Sequence, residues 1–550
     1  MGIIGGIKGV MDRKGRMEAQ WPPEESLERL KYYRDGASLY NGDQADALNR
    51  LAGTGNYKPP KYRLYVVQNV LSTITDLLVE RAFGEGLSVR APTELVGTQA
   101  FIDDVFKRSK CKDLFVMEAA GASYRGDSVY KAYFDARRRH VRITSVHPSV
   151  FFPEFDPLDE TEMVAADIGQ VITTYLPGET APRPFLWIER HELRDGTGWV
   201  TNRLWKLTKN EVTKAYAYDP IKDEVPLDAI KETAPLVGFE EYPTGIDDML
   251  IVHATNKRTS EGQPWGRAWG ISDYGNLIDL QAALNDNRSG FRDVLRKMVK
   301  PIVAGPDLRD ENGNVNIEDF DYYSSNYVGE GADPFKIFTW DVNTSGVEAE
   351  LDQLLDAVAM VAKVDSSAMK TPETGGPISA KGIRASQLLT QGSARRKQAA
   401  HGDPIMRIVS IATKLAAVKL ASGELDWEPP QRETNTTAGG QTTEAIVAPD
   451  EPGKVYDLVP VEWEDLTCEW RDGLPDDRMD LIQEQAEMIA AGVQSAIRAA
   501  MELHDMDRDE AQELMDEIAA EQPAQPQQAS PFDFAFGQDE GMAGAEEGQQ

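Results

Sequence analysis

The sequence predicts a mixed α+β chain built of several units, and three features carry that prediction. Apolar residues recur at helical spacing over long stretches, most clearly at Leu277, Leu280, Leu284, Phe291, Leu295 and Met298. The run from Arg142 to about Tyr242 reads instead as successive strands, through Ile143, Val146, Phe151-Phe152, Ile168 to Tyr175, Phe185 to Leu193, Gly198 to Leu207 and Val212 to Tyr218. With 550 residues, 41% of them apolar, there is material for about three or four cores.

Along the chain, Pro22 to Leu51 reads helical, with Leu27, Leu30 and Tyr33/Arg34 three and four apart, and turns at Tyr40-Asn41-Gly42-Asp43. After the break at Lys58-Pro59-Pro60-Lys61, a helix is expected over Tyr65 to Phe83, ending at Gly84-Glu85-Gly86, followed by a short strand at Leu87-Ser88-Val89. One further helix is expected from about Ala100 to Tyr124, then a strand over Ser128 to Asp135. Asp195-Gly196-Thr197-Gly198 has the chemistry of a hairpin turn. The longest helical pattern covers Ile271 to Lys300 and stops at Pro301.

Ile302 to Thr339 is turn-rich, with Asn312-Gly313 as a hairpin candidate and Phe320, Phe338 and Trp340 as a small core. A second helix is expected from about Ser345 to Val364, then a Gly/Pro loop over Ser366 to Ser379. The long helical stretch from Ala380 to Ser422 should kink or break at Gly402-Asp403-Pro404. Asp426 to Asp450 reads as linker, Val455 to Trp470 as strands, and Asp476 to Ala520 as two helices, the second strongly acidic. The tail after Glu521 has five acids and no Lys, Arg or His, and its composition is that of a disordered segment.

Charge and motifs exclude more than they assign. The chain has 58 Lys+Arg against 91 Asp+Glu, a net −33, whereas gripping a DNA duplex depends on cations that displace counterions from phosphates. Two distant cysteines, Cys111 and Cys468, give neither a disulfide framework nor a Cys-based zinc site. The Met1–Gly9 start is too short and glycine-broken for a signal segment, and no run of about 18 apolar residues suits a membrane span. Gly53 to Lys58 lacks the Gly-Lys-Ser/Thr ending of a phosphate loop, and Gly329-Glu330-Gly331 runs into Asp333-Pro334 where a dinucleotide fingerprint needs glycine. Asp310, Asn312, Gly313 and Asp319 fit a calcium loop whose first ligand position is Leu308, which a tight turn explains better. His191-Glu192 lacks the second histidine of a zincin. No metal or other cofactor is expected. Acids are numerous enough for chance carboxylate pairs, so a metal-dependent nuclease or hydrolase stands as the alternative from the enzyme class.

The order of elements around Ser272-Asp273, Leu277-Ile278-Asp279-Leu280-Gln281-Ala282-Ala283-Leu284-Asn285, a small insert, a returning helix, a Gly/Pro loop and a long helix resembles the portal proteins of tailed bacteriophages, of siphophage type. Leu39-Tyr40-Asn41-Gly42, Asn69, Gly126-Asp127-Ser128-Val129-Tyr130 and His147-Pro148 are similar to the family's wing region, and Val461-Glu462-Trp463, Leu474-Pro475-Asp476 and Gly492-Val493-Gln494-Ser495 to its C-terminal part. The resemblance covers about residues 20 to 520.

It implies a flexible N-terminus (1–17), an α+β wing (18–265), a stem helix (266–300), a small α/β clip (301–343), a returning stem helix (344–365), a tunnel loop (366–379), a long kinked wing helix (380–422), a linker with returning strands (423–475), crown-side helices (476–521) and a disordered acidic tail (522–550). It also implies a ring of twelve copies at one capsid vertex. Such a ring passes double-stranded DNA without reading its sequence and docks the terminase and head-tail adaptor proteins. It assembles with major capsid and scaffolding protein in the host cytoplasm, contacts no membrane and catalyses nothing.

Lys370, Thr371, Pro372, Gly375, Gly376 and Lys381 become the expected channel residues, and Tyr322, Tyr323 and Tyr327 the expected docking surface of the clip. Arg395-Arg396-Lys397 are expected to neutralise acids of neighbouring subunits. Another head or tail assembly protein is the alternative among structural proteins.

Overall fold

The structure is a computed structural model that describes residues 10–11, 17–51, 64–84, 86–176, 178–209, 215–299, 302–305, 321–324, 336–338, 344–366, 387–428, 455–470, 478–504, 511–512, 514–516 and 518. It divides into two compact units. The larger comprises Met1–Gly376 with Arg384–Leu474, and the smaller Pro377–Ile383 with Pro475–Gln550.

The larger unit opens with α1 (Leu27–Tyr40) and α2 (Gln44–Leu51), joined by the expected turn at Gly42. α3 covers Val70–Phe83, shorter than its apolar pattern, because Tyr65 to Asn69 runs extended and the Asn69 side chain caps the Ser72 amide. The single helix expected next is two, α4 (Val96–Ser109) and α5 (Cys111–Arg125). Lys110 between them is left-handed, at φ 52°, which ends one helix and re-aims the next. The apolar period runs through the break, so the sequence alone reads as one helix.

Three antiparallel strands, Ile251–Thr255, Asp127–Asp135 and His140–Ser145, form a sheet in that order. The strand-rich region forms a separate six-stranded antiparallel sheet whose long strands are Met163–Thr174, Arg183–Arg194 and Thr197–Lys206. The last two meet at Asp195 and Gly196, both at positive φ, the two-residue turn whose twist matches a hairpin.

α6 (Ile278–Val299) and α7 (Thr344–Ala362) pack together through Leu284, Leu351, Val358 and Ala359, with α2 and α3 beneath them. The first turn expected of α6 is instead an irregular entry from Ile271 to Leu277, fixed by hydrogen bonds described below. Between the helices lies a three-stranded sheet ordered Asp321–Ser324, Ile302–Gly305, Lys336–Phe338. Ile302 partners Phe338, so the strand that follows α6 starts and the strand that precedes α7 ends at the same edge of this sheet. Ile302–Gly305 and Asp321–Ser324 are parallel and thus not the arms of one hairpin. Asn312-Gly313, the calcium-like loop, Phe320 and Trp340 lie outside the described residues.

α8 (Leu388–Ala421) is continuous through Pro404. Proline in a helix costs roughly 3 kcal/mol. Ile405, Ile408, Val409, Ile411, Ala412, Leu415 and Ala416 are buried in the main core against α3, α4, α5 and the three-stranded sheet, and that burial outweighs the lost bond. Of the strands expected over Val455 to Trp470 only Thr467–Trp470 forms one, paired with Leu87–Arg90. The preceding residues bond to helix side chains instead, Val459 with Thr98 and Val461 with Ser410 and Thr413.

The smaller unit contains α9 (Arg478–Ala490) and α10 (Ala496–His504). Gly492, at φ 71°, closes α9 with bonds from its amide to Ile489 and from the Val493 amide to Met488. The linker at 429–454 and the tail beyond residue 518 lie outside the described residues.

Candidate functional site

The structure concentrates buried polar chemistry where α6 leaves the rest of the larger unit. Asp127, at the start of the central strand, is fully buried. Its Oδ1 accepts hydrogen bonds from the Gly270 amide and His253 Nε2, both at 2.8 Å, and its Oδ2 accepts the Tyr33 hydroxyl at 2.7 Å. Burial first, and the Asp127 charge second, push the Tyr33 pKa well up. Arg29 of α1 donates to the carbonyls of Pro148 and Phe151 at 3.0 Å, with its guanidinium 4.0 Å from the Trp269 ring centre. The two chain segments cross at Gly126 and Gly270, where a Cβ on Gly270 would stand 1.9 Å from the Gly126 carbonyl oxygen.

One turn further on, Asp273 Oδ2 accepts from Lys397 Nζ of α8 at 2.6 Å and from Ser123 Oγ of α5 at 2.7 Å, while Oδ1 accepts from Asn256 Nδ2 at 2.9 Å. Lys397 Nζ also donates to Asn256 Oδ1 at 2.7 Å. The Asp273 amide bonds the Ser123 carbonyl, and the Ser272 hydroxyl bonds the same oxygen. These bonds hold Ile271 to Leu277 out of helix. Burial raises the Asp273 pKa, but Lys397 and Lys257 outweigh it and bring the carboxyl down to about 2. Glu189, buried beside Lys131 and His191, is likewise driven up by burial and more strongly down by its partners, to about 2.

Both groups therefore contribute stability above their unfolded pKa near 4, lost as pH falls through the folded value. As these two carboxylates take up protons, urea midpoints are expected to fall steeply between about pH 4 and pH 2. In Asp273→Asn the fall over that acid window should be shallower.

α6 itself is held by a buried polar stripe. Gln281, Asn285 and Ser289 repeat every fourth residue and meet the extended segment Tyr65 to Asn69. Gln281 Nε2 donates to the Gln68 carbonyl at 2.7 Å, the Gln68 amide to Asn285 Oδ1 at 3.0 Å, and the Val66 amide to Ser289 Oγ at 2.8 Å. Asn285 Nδ2 reaches Gln44 of α2 at 2.7 Å.

The segment between α7 and α8 is clamped at both ends. Lys363, at φ 58°, closes α7 with bonds from its amide to Met360 and from the Val364 amide to Ala359. The Asp365 amide then donates to Thr390 Oγ1 at 2.9 Å, and the Thr390 amide and hydroxyl both donate to Asp365 Oδ2 at 3.0 Å. Ser393 Oγ donates to the Lys363 carbonyl at 2.8 Å. The end of α7 and the start of α8 therefore meet at Asp365 and Thr390.

Lys370, Thr371, Pro372, Gly375, Gly376, Lys381 and Tyr327 lie outside the described residues. Tyr322 and Tyr323 lie in the strand beside Val303 and Ala304. Lys397 is a correction: it is expected to meet a neighbouring subunit, yet it is buried and bound to Asp273 of its own chain. Arg395 and Arg396 beside it are exposed. The sequence reading missed Asn256, Asp273 and the α6 stripe. For the stripe the signal was present, as Gln281, Asn285 and Ser289 interrupt an apolar helix at one constant interval.

Among the described residues no group of three or more His, Cys, Asp or Glu is placed to hold a metal ion, and no helix is long and apolar enough to cross a membrane. No curated protein matches the chain. The model of the family described as phage portal protein, SPP1 Gp6-like, matches residues 22–426, a span from α1 to the residues just past α8 that includes the α6 root and both ends of the clamped segment. The chain belongs to the phage portal protein family, SPP1 Gp6-like.

Proposed function

We propose that twelve copies of this chain form a ring at one capsid vertex, through which double-stranded DNA enters during packaging and leaves at ejection. The observation that carries this reading is the family match over most of the chain. The packed pair α6 and α7, rooted in buried polar bonds and joined through a small sheet, supports it as the stem. In this reading 18–265 is the wing, 266–300 and 344–365 the stem, 301–343 the clip, 366–379 the tunnel loop, 380–422 the long wing helix and 476–521 the crown side.

Head-to-tail contacts close a ring when each subunit presents two different complementary faces. A chain of net −33 presents DNA with a repelling wall, and weak attachment suits rapid transit. Lys370, Thr371, Pro372, Gly375, Gly376 and Lys381 would line the narrowest part and touch phosphates weakly. Tyr322, Tyr323 and Tyr327 would meet terminase during packaging and the head-tail adaptor afterwards. Capsid and scaffolding proteins would surround the wing in the host cytoplasm, and the finished ring would remain in the virion. The portal family is structural and not enzymatic, and no catalytic residue is proposed.

Light scattering followed by negative-stain imaging tests this. The expected particle has a mass near twelve times 60.9 kDa, or a neighbouring multiple, and an axial hole. A chain that stays monomeric both alone and with scaffolding protein, and shows divalent-dependent turnover, would overturn the portal reading in favour of the nuclease or hydrolase.

A further inference from the structure

We propose that the first four turns of α8 are a lever joining the base of the clamped segment to the root of α6, so that opening either contact opens the other. The functional meaning of this link rests on the portal reading above; the mechanical link does not.

Thr390, Ser393, Lys397 and His401 follow one another at i, i+3, i+7 and i+11, a single face of a helix, and all four are buried. Thr390 and Ser393 hold Asp365 and the Lys363 carbonyl, the base of the segment. Lys397 holds Asp273 and Asn256, the root of α6. From Thr390 to Lys397 the helix rises about 10 Å without interruption. Contacts that far apart ordinarily act independently, but here both are made by one stiff body.

The next member of the face supplies the means of movement. His401 is fully buried, its ring near that of Phe83, and among the described residues neither of its ring nitrogens has a hydrogen-bond partner. A buried polar group with unmet bonds weighs against the closed arrangement, so this face opens more readily than a fully bonded one would. Because coupling between two equilibria is reciprocal, a substitution at either end must be felt at the other.

Hydrogen exchange read by mass spectrometry on the full chain tests this. Thr390→Val removes the clamp hydroxyl, and it is expected to speed exchange about tenfold at the Asp273 and Asn256 amides as well as at Asp365. Thr390→Ser keeps the hydroxyl and should exchange like the wild type at all of these. Lys397→Met is expected to speed exchange at Asp365 and Thr390. His401→Leu removes the unmet bonds and should slow exchange at both ends together.

Faster exchange confined to Asp365 and Thr390 in Thr390→Val, with Asp273 and Asn256 unchanged, would overturn the lever even if Lys397→Met fails to fold. The mass of the same samples by light scattering reads the ring separately, so a broken lever in an intact ring and a monomer with an intact lever are distinct results.

Discussion

Lys397→Met is expected to destabilise the chain by about 3–5 kcal/mol, the cost of leaving a buried carboxylate without its main counter-charge. Asp273 is drawn down to about 2 chiefly by Lys397, with Lys257 second at 3.6 Å. Lys257 is half exposed, and a solvated ammonium at that distance replaces little of what is lost. Lys397 also satisfies Asn256 Oδ1, so its removal strands a second acceptor. The measurement is urea unfolding of the single variant, of Asp273→Asn, and of the pair. The pair should be less destabilised than the sum of the singles by at least about 1 kcal/mol. Strict additivity would mean that the two side chains do not act on each other.

Gly270→Ala is expected to cost at least about 3 kcal/mol, at the upper end of what overpacking usually does. The added methyl would meet the Gly126 carbonyl at 1.9 Å, and backbone cannot rotate away as a flexible side chain can. Gly126 sits at φ +103°, a conformation that glycine adopts freely. Separating the two segments here would also stretch the bond from the Gly270 amide to buried Asp127. Thermal unfolding of Gly270→Ala beside Gly275→Ala, whose nearest neighbour atom is an ordinary 3.9 Å away, isolates the crossing from the general effect of replacing a glycine on the unfolded chain. A loss equal at both glycines would show that the crossing tolerates a side chain.

Much of the architecture was legible because periodicity reports burial directly. α1, α7 and the hairpin at Asp195-Gly196 fall where spacing and turn chemistry place them. The errors share a physical origin. The break at Lys110 uses a left-handed lysine where glycine would have announced it. The entry to α6 and the start of α3 read as helix from their apolar residues, yet Asp273, Ser272 and Asn69 pull them out of helix through bonds to partners as far as 150 residues away for Asp273 and 29 for Asn69. Pro404 erred the other way, since a local penalty is visible in sequence and the core that offsets it is not. Lys397 looked like one cation in a run of three, and only the fold brings Asp273 to it across 124 positions.

The stripe on α6 also bears on mechanical load. Gln281, Asn285 and Ser289 are followed in the same row by Asp293 and preceded by Leu277. An axial slip of one turn, about 5.4 Å, would bring a charge or an apolar side chain against the backbone of Val66 and Gln68. Neither meets those groups as the present residues do, so the row works as a key in a keyway. Thrust along the helix is resisted by directional bonds that have a single register, whereas a purely greasy contact would let the shaft creep.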